Sequence, residues 1–442
     1  MTHIKNFGII TALGVFYSMI IALTIIPGLL LLRKNGKASI SPAVEKKSAH
    51  RSGYGFTAAI SRFTVNHPAA VLSAGAVLIC FSVYNIFAVE LNMNTMDFFN
   101  KKSDVKIAEN RLNEKLAGTQ QLAINIETSD GSEIITPAVL QKIEDFQNEM
   151  HKRFSYVGKT VSVNDYLKKM NQEMNGGNSR FYSLPQNQDL SREYLLLYSG
   201  DIDNIITKNM DKTRIHLTLK RGKISDNMKI REFALNYFDE SFKKENHLTV
   251  NPSGFNDLMI EANMLIVEGQ ISSLAASIIL VAILMWIIFR NLGLTFISLL
   301  PLTVGISLNF GIMGLLNIPL NAVTATVASI AIGMGIDYSI HFLSRYLLEL
   351  KASAGCVNTA LLRTYNSTGK AIMSNALSVS AGFMVLMFSK FPIIKQFGGL
   401  MAFTVGITGL AAILIIPAAI KAASRNVENG AATEERVEEA GA

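Results

Sequence analysis

Seven apolar stretches constrain the fold of this chain more than any other feature of its sequence. They are residues 8–32, 68–89, 267–289, 292–315, 320–344, 371–389 and 395–420. Each is close in length to the roughly 20 residues that an α-helix needs to cross a lipid bilayer. Backbone polar groups inside a bilayer must be hydrogen-bonded within the protein, which restricts such stretches to helices. The sequence therefore predicts an α-helical polytopic membrane protein with about seven spans.

The composition fits a membrane protein that also carries a folded aqueous domain. Hydrophobic residues make up 49% of the chain and charged residues 17%, which is too apolar for a soluble protein of 442 residues. The net charge of +7 comes from basic residues in short loops between the apolar stretches, so we expect no nucleic-acid binding. The two cysteines, Cys80 and Cys356, lie in a span and in a loop and do not predict a disulfide framework.

The loop charges predict the orientation of the chain in the membrane. Residues 33–62 carry seven lysines and arginines against one acid, Glu45, which places this loop in the cytoplasm by the positive-inside rule. Alternation of the spans then places residues 91–266 outside the cytoplasm and the acidic tail inside. We therefore expect a multi-pass protein of the inner or plasma membrane.

Residues 91–266 are predicted to form a folded α+β domain. Alternating apolar positions predict strands and helical spacing predicts helices, in the order strand 121–127, helix 137–152, strand 156–163, strand 214–220, helix 226–243 and strand 247–250. Two β-α-β units in succession predict two small subdomains of ferredoxin-like type. The domain has no metal-ligand cluster, nucleophile elbow or phosphate-binding glycine loop in its sequence. We expect it to bind or guide, with no enzyme activity, no metal and no cofactor.

An internal repeat suggests the domain organisation. Residues 4–27 align without gaps with residues 394–417 at ten identical positions, the last of which pairs Pro27 with Pro417. Shared apolar composition alone gives roughly two or three matches, so we interpret the first span as the counterpart of the last. We therefore expect six segments in chain order. They are the last helix of an incomplete first repeat (residues 1–33), a basic cytoplasmic linker (34–63), the first helix of a second repeat (64–90), an outer domain (91–266), a five-helix bundle (267–422) and an acidic cytoplasmic tail (423–442).

Asp337 is the most informative single residue because it lies in the middle of an apolar span. It is eight residues before Arg345, ~12 Å along a helix, and so lies near the midplane of a hydrocarbon core about 30 Å thick. A carboxylate at that depth costs about 2.5–3.5 kcal/mol, and an intramembrane acid is a functional hypothesis by default. Asp337, Tyr338 and His341 are the ionisable groups near the middle of this span. We therefore predict a proton relay of these three residues.

Helical spacing predicts which residues near Asp337 share a face of its helix. Positions four residues apart share a face, which places His341 and Arg345 in one stripe with Asp337. Small residues that let a neighbouring helix approach closely are predicted to pack; they are Ala331, Gly333, Gly335 and Ser339. The next span offers a supporting polar face able to hydrogen-bond Asp337, formed by Ser374, Asn375 and Ser378.

Purely structural roles remain open for these residues. A hydrogen bond to a neighbouring helix would also explain Asp337, and a tether to the inner interface would explain His341. Helix packing would equally explain Ser374, Asn375 and Ser378 of the next span. We also interpret Asn309, in an earlier span, as a packing residue.

Several motifs resemble one known family. The segment Gly333-Met-Gly-Ile-Asp-Tyr-Ser-Ile-His-Phe-Leu-Ser-Arg345 resembles the fourth-helix signature of the resistance-nodulation-division (RND) transporters, in particular their MMPL branch. Phe289-Arg-Asn291, Pro319-Leu-Asn321 and the segments Asp97–Phe99 and Leu112–Glu114 also match. The resemblance covers nearly the whole chain.

This resemblance implies a proton-driven exporter of hydrophobic or lipidic substrates, with two facing six-helix repeats and an outer porter domain. It also implies that Asp337 carries the proton and that Tyr338 is its orienting partner. Members of the family carry a second Asp-Tyr pair, whereas this sequence has one Gly-Met-Gly-Ile-Asp-Tyr motif. We therefore expect a partner repeat from a separate chain or a second copy; otherwise the chain is an inactive, truncated half.

One alternative function comes from a different class. It is a non-transporting module that senses a lipid or sterol, or docks a partner, and such a module needs no titrating acid. A component of a protein-translocation motor fits the Asp-Tyr motif poorly. A membrane enzyme fits least, because no nucleophile or metal set accompanies Asp337 in the sequence.

Overall fold

The computed structural model describes residues 2–32, 54–91, 95–198, 200, 202–220, 222–243 and 247–441. The chain divides into two compact units, Met1–Gly55 and Phe56–Ala442. The described part of the first unit is mainly one helix, α1 (Thr2–Leu32), which contains Pro27 and carries exposed apolar side chains. Most of the predicted basic linker lies outside the described residues.

The remaining elements follow in chain order. They are α2 (Tyr54–Asn66), α3 (Pro68–Ile86), α4 (Asp104–Lys115), β1 (Gln120–Thr128), α5 (Pro137–Arg153), β2 (Val157–Val161), α6 (Val163–Met174), α7 (Gln188–Leu197), β3 (Lys212–Leu219), α8 (Ile224–Ser241), β4 (Leu248–Ser253), α9 (Phe255–Phe289), α10 (Leu292–Leu315), α11 (Ala322–Ala352), α12 (Val357–Thr364), α13 (Lys370–Met384) and α14 (Pro392–Gly441). A π-helical turn, Tyr365–Gly369, joins α12 to α13, and short 3₁₀ turns lie at Thr95–Phe98, Ser179–Phe181 and Val385–Phe388.

Seven helical segments of the described chain are long and apolar enough to cross a membrane, which confirms the predicted spans. They are Gly8–Leu29, Pro68–Ile86, Phe255–Phe289, Leu292–Leu315, Ala322–Ala352, Val357–Phe388 and Pro392–Ser424. The helix α9 begins at Phe255 rather than at the predicted residue 267. Its first turns carry Asp257 and Glu261, which pair with Arg231 of α8 and are too polar for an apolar stretch to include.

The four strands form one antiparallel sheet in the order β2-β3-β1-β4. In this sheet β1 pairs with β3 on one side, where Ile124 lies opposite Ile215, and with β4 on the other side. The two β-α-β units therefore interleave into a single ferredoxin-like domain, and the prediction of two separate subdomains is wrong. Two strands have too little apolar surface to be stable alone, whereas four strands share one core with their helices.

The core of this α+β domain contains the inward-facing strand residues and the aromatic residues of two helices. Leu122, Ile124 and Leu217 of the sheet are fully buried, together with Phe146 of α5 and Phe238 of α8. The two phenylalanine rings lie 4.7 Å apart between centroids. Burial alternates along β3 as the strand pattern predicts, and along β1 except at Ala123, which is buried together with Leu122 and Ile124.

The central helix of the membrane bundle is α14, which packs against α3, α10, α11 and α13. Close approach depends on small residues: a Cβ on Gly335 of α11 would lie 2.6 Å from Thr408 Cγ2 of α14. Asn309 of α10 is fully buried and accepts a hydrogen bond of 2.9 Å from the Thr404 hydroxyl of α14. This contact agrees with the packing role predicted for Asn309.

Candidate functional site

The helix α11 carries the candidate site at its midpoint. It begins after Asn321, whose side chain accepts hydrogen bonds from the backbone N–H groups of Val323 and Thr324, while the Thr324 hydroxyl accepts one from the Asn321 backbone. This capping box fixes where the helix starts. Asp337 is the sixteenth of its 31 residues. The carboxylate therefore lies deep in the membrane-crossing segment, as the sequence predicts.

Asp337 belongs to an exposed stripe along α11. Gly333, Asp337, His341 and Arg345 follow one another at intervals of four residues, and all four are exposed. Within the part of the chain that the structure describes, no group forms a hydrogen bond or ion pair with the Asp337 carboxylate. Arg345 pairs instead with Glu349, at 2.6 Å. The stripe thus presents a carboxylate and an imidazole on a face that the other helices of this unit leave uncovered.

Tyr338 faces in a different direction from Asp337. Its side chain is only 3% exposed and belongs to the main hydrophobic cluster of the bundle. Its ring packs on α14, where a Cβ added to Gly409 would lie 3.4 Å from Tyr338 Cε2. A rigidly packed tyrosine next to the acid limits the rotation of α11 about its own axis.

The predicted packing residues divide between two faces. Ala331 and Gly335 are buried, and the buried Ser339 hydroxyl donates a hydrogen bond of 2.8 Å to the Ser298 carbonyl of α10. Gly333 behaves differently, because it is exposed and a Cβ there would meet no atom within 4 Å. Its place in the stripe follows from its spacing of four residues from Asp337. No described residue packs on Gly333, and its role in helix packing stays a prediction.

Comparison with known proteins identifies the domain that contains the site. Residues 247–439, which include α9 to α13 and most of α14, match the MMPL family. The chain carries an MMPL-family membrane domain. The resemblance to RND transporters of the MMPL branch is therefore confirmed, and the chain is a multi-pass membrane protein.

Relatives of this chain include named transporters. A membrane protein of Methanocaldococcus jannaschii is 29% identical over 160 residues, which cover 36% of this chain and 41% of the relative. The hopanoid transporter of Rhodopseudomonas palustris is 22% identical over 154 residues, which cover 35% and 18% of the two chains. The apo-petrobactin exporter of Bacillus anthracis is 27% identical over 183 residues, which cover 39% and 24%. This chain thus matches less than half the length of each relative, and none of the three is named as an enzyme.

The polar residues predicted to support Asp337 lie on α13 of the MMPL domain. Ser374, Asn375 and Ser378 are all exposed there. Among the described residues, they make no hydrogen bond to Asp337, so the predicted bonds are not formed within this chain. Both α11 and α13 pack against α14, which holds the two polar faces on one scaffold.

Tyr365 is a buried residue of the MMPL domain that sequence reasoning missed. Tyr365 begins the π-helical turn between α12 and α13, is 2% exposed, and donates a hydrogen bond to the Ile413 carbonyl of α14. Its ring meets that of Phe342 of α11 edge-on, at 5.7 Å between centroids. The π-turn carries no distinctive sequence signal, because a tyrosine followed by Gly369 is equally compatible with a regular helix.

The described residues contain no group of three or more His, Cys, Asp or Glu side chains placed to hold a metal ion. The chemistry available around Asp337 is therefore that of a carboxylate with an imidazole one helical turn away. Such a pair is able to take up and release protons.

Proposed function

We propose that this chain is part of an exporter of hydrophobic or lipidic substrates that is driven by the proton motive force. In this proposal Asp337 takes up and releases the transported proton, with His341 as the second member of the relay. One observation carries the proposal: the Asp337 carboxylate is exposed at the midpoint of α11 and has no hydrogen-bonding partner among the described residues.

The physical argument starts from the free energy of the exposed carboxylate. A charged group facing hydrocarbon at the bilayer centre costs about 2.5–3.5 kcal/mol, and such groups almost always face a bundle interior or a water-filled cavity. The stripe of Gly333, Asp337, His341 and Arg345 is therefore best explained as a surface that another protein element covers. We propose that a second MMPL-type repeat, from a separate chain or a second copy, supplies this cover.

Protonation of Asp337 couples the proton gradient to a movement of α11. Neutral Asp337 needs no compensating charge, whereas ionised Asp337 does, so the two forms favour different positions of α11 against its partner surface. Tyr338 orients the acid by anchoring α11 on Gly409 of α14. The Ser339–Ser298 hydrogen bond joins α11 to α10, so a displacement of α11 moves its neighbours as well.

The helix α9 offers a mechanical connection to the α+β domain. It runs without interruption from Phe255, at the domain, to Phe289, at the far end of the membrane segment. Near its start Asp257 is 7% exposed and pairs with Arg231 of α8 at 2.7 Å. A tilt of α9 is therefore transmitted to the domain. We propose that this porter domain, residues 91–266, lies outside the cytoplasm and handles the substrate there.

The substrate class rests on the named relatives. One of them transports hopanoids and another exports apo-petrobactin. Together with the apolar surface of the bundle, the hopanoid relative supports a hydrophobic or lipidic cargo for the assembled transporter, and the apo-petrobactin relative supports export as its direction. We propose that Ser374, Asn375 and Ser378 line the same polar surface that receives Asp337.

Export by inverted membrane vesicles tests the proposal. Vesicles carrying the full chain and its genomic neighbours are energised, and accumulation of a hydrophobic fluorescent substrate is followed with and without a protonophore. We expect Asp337→Asn to abolish protonophore-sensitive accumulation. Asp239→Asn, the same change at an exposed position of α8, serves as the control and retains it.

Two results would contradict the proposal. Protonophore-sensitive accumulation in Asp337→Asn vesicles equal to that of the wild type removes Asp337 from the relay. Substrate binding by the wild type with no gradient-dependent accumulation favours the sensing module instead.

A further inference from the structure

The helix α13 lies between two turns of opposite winding. Before it comes the π-helical turn Tyr365–Gly369, and after it comes the 3₁₀ turn Val385–Phe388. A π-helical turn holds one residue more than an α-helical turn, so it sets the following helix back by about 100°, the angle between neighbouring residues of an α-helix. A 3₁₀ turn has about three residues per turn, so four such residues advance the chain by about 80° relative to an α-helix. The two turns therefore nearly offset each other.

The π-helical turn determines which face of α13 is buried. The buried positions on either side of it are Ala360, Leu361 and Thr364 in α12 and Ile372, Ala376 and Ser380 in α13. In one regular α-helix these two sets would point roughly 100° apart, since each residue adds about 100° of rotation. The extra residue of the π-helical turn sets α13 back by about this angle, so both sets face the bundle.

Tyr365 anchors the start of the π-helical turn. Its side chain is 2% exposed, donates a hydrogen bond to the Ile413 carbonyl of α14 and packs edge-on against Phe342 of α11. The Ser367 hydroxyl donates to the Arg363 carbonyl at 3.0 Å, a bond of the kind that satisfies backbone groups freed by a π-helical adjustment. The turn is therefore held at its first residue, where a change of winding in α13 would begin.

Glycines of α14 lie under the middle of α13. A Cβ on Gly409 would lie 2.6 Å from Ala376 Cβ. A Cβ on Gly406 would lie 3.1 Å from Ser380 Oγ. Glycines have no side chains to interlock with a neighbouring helix, whereas interlocked side chains oppose rotation. This surface of α14 therefore presents a low barrier to rotation of α13 about its own axis.

We propose that α13 alternates between two registers that differ by a rotation of about 100°. In the second register both flanking turns become α-helical, each residue of α13 takes the place of its successor, and Tyr365 keeps its contacts. Val379 then faces Gly406 in place of Ser380. The second register loses the 2.8 Å hydrogen bond that the Ser380 hydroxyl donates to the Ala402 carbonyl, so we expect it to be the minor state.

The rotation changes the exposed surface of α13 from polar to partly apolar. Ser374, Asn375 and Ser378 are exposed in the register that the structure shows. After the rotation Met373 takes the place of Ser374, and Leu377 takes the place of Ser378. Apolar side chains then occupy two of these three polar positions. The rotation requires no substrate and no proton gradient, so it is independent of the proposed export.

Disulfide crosslinking of the full chain in lipid nanodiscs tests the proposal. Gly406→Cys is combined with Ser380→Cys, Val379→Cys or Ala381→Cys, in a chain whose two native cysteines are replaced by serine. Trypsin cleaves at Lys390, between α13 and α14, and mass spectrometry of the linked peptides gives the rate of oxidation. Val379 and Ala381 are the two neighbours of Ser380, and the proposed rotation brings only Val379 to Gly406. The Ala381 pair is therefore the matched control.

Deletion of Ser367 supplies a locked form of the chain. Ser367 is exposed, and its removal takes away the extra residue of the π-helical turn without changing which residues of α13 face α14. The shortened turn is a regular α-helix with no extra residue to release, so the rotation is blocked. The same cysteine pairs are measured in the chain of natural length and in the chain that lacks Ser367.

We expect the Ser380 pair to link fastest in both chains. In the chain of natural length the Val379 pair should link about tenfold to hundredfold more slowly than the Ser380 pair, in line with a minor state of about 1–10%, and faster than the Ala381 pair. Deletion of Ser367 should lower the rate of the Val379 pair to that of the Ala381 pair and leave the rate of the Ser380 pair unchanged.

Two results would overturn the proposal. One is a Val379 pair that links no faster than the Ala381 pair in the chain of natural length. The other is a rate of the Val379 pair that deletion of Ser367 leaves unchanged. The first comparison involves no deletion, so it decides the proposal even where the shortened chain does not fold.

Discussion

Asp337 and Tyr338 are neighbours in sequence, but the carboxylate is exposed while the tyrosine ring is 3% exposed and packed against α14. The helix α11 is thereby anchored on one side of the candidate site and uncovered on the other. In the proposed function Asp337 changes its charge, which needs an environment that can rearrange, whereas its position in the membrane must stay fixed. The adjacent pair meets both requirements with two side chains.

Tyr338 is expected to contribute to stability mainly through its ring. Tyr338→Ala removes a buried aromatic side chain and should lower the free energy of unfolding by about 3–5 kcal/mol. Tyr338→Phe keeps the ring and should change it little. Denaturation of the purified full chain in mixed micelles measures both. A Phe variant as unstable as the Ala variant would show that the hydroxyl, rather than packing, is decisive.

Gly335 and Gly333 should respond differently to the same added methyl group. A Cβ at Gly335 would lie 2.6 Å from Thr408 Cγ2, so Gly335→Ala forces α11 away from α14 and should destabilise the fold by about 1–3 kcal/mol. Gly333→Ala meets open space and should be neutral or slightly stabilising in the isolated chain. Thermal unfolding of the two variants makes the comparison. Equal losses would contradict the packing of α11 on α14.

The α+β domain should show a pH-dependent contribution from Glu133. Hydrogen bonds from Arg192 and then from Gln188 lower the pKa of Glu133 below its ordinary value of 4.5. Because the pKa is lowered in the folded state, the stabilisation is present above pH 4.5 and is lost as the pH falls through the folded-state value. Glu133→Gln should therefore unfold at a lower temperature than the wild type at pH 7, and the difference should shrink in acid.

The control for this pH dependence is Glu193→Gln. Glu193 is a nearby exposed glutamate with no ion pair among the described residues. We expect this variant to follow the wild type at all pH values. A difference between wild type and Glu133→Gln that stays constant down to pH 3 would contradict the assignment.

The stripe on α11 should contact protein in the assembled membrane. A photoreactive amino acid at Gly333 is expected to crosslink to a polypeptide, either a second copy or a separate chain, and the mass of the adduct distinguishes these. The same amino acid at Ile283, an exposed apolar position of α9, is expected to crosslink mainly to lipid. Lipid adducts at both positions would contradict the proposed partner repeat.

The membrane part of the fold was predictable because hydropathy reports the length of a span directly. The seven spans and the central Asp337 follow from counts of apolar residues, and the packing of Asn309 follows from its position within a span. The start of α9 could not be predicted in this way, since Asp257 is polar and pairs with Arg231, 26 residues earlier in the chain. Only the tertiary contact reveals that the helix begins at Phe255.

The order of the strands in the sheet could not be predicted from the sequence pattern. Alternating residues identify β1 to β4, but the pattern does not state which strands are neighbours. The sheet order places β1 between β3 and β4, which merges the two predicted subdomains. In the site, spacing placed Asp337 and His341 on one face correctly. It could not show that this face is uncovered, or that Ser374 and Asn375 make no hydrogen bond to Asp337.

The most direct test of the central claim is infrared spectroscopy of carboxyl protonation in lipid-reconstituted protein. Spectra recorded across a pH series are compared between the wild type and Asp337→Asn, since asparagine has no titrating proton. We predict a carboxyl band that disappears with rising pH in the wild type and is missing from the variant at every pH. Identical titrations of the two proteins would mean that Asp337 does not exchange a proton, and would contradict its role as proton carrier.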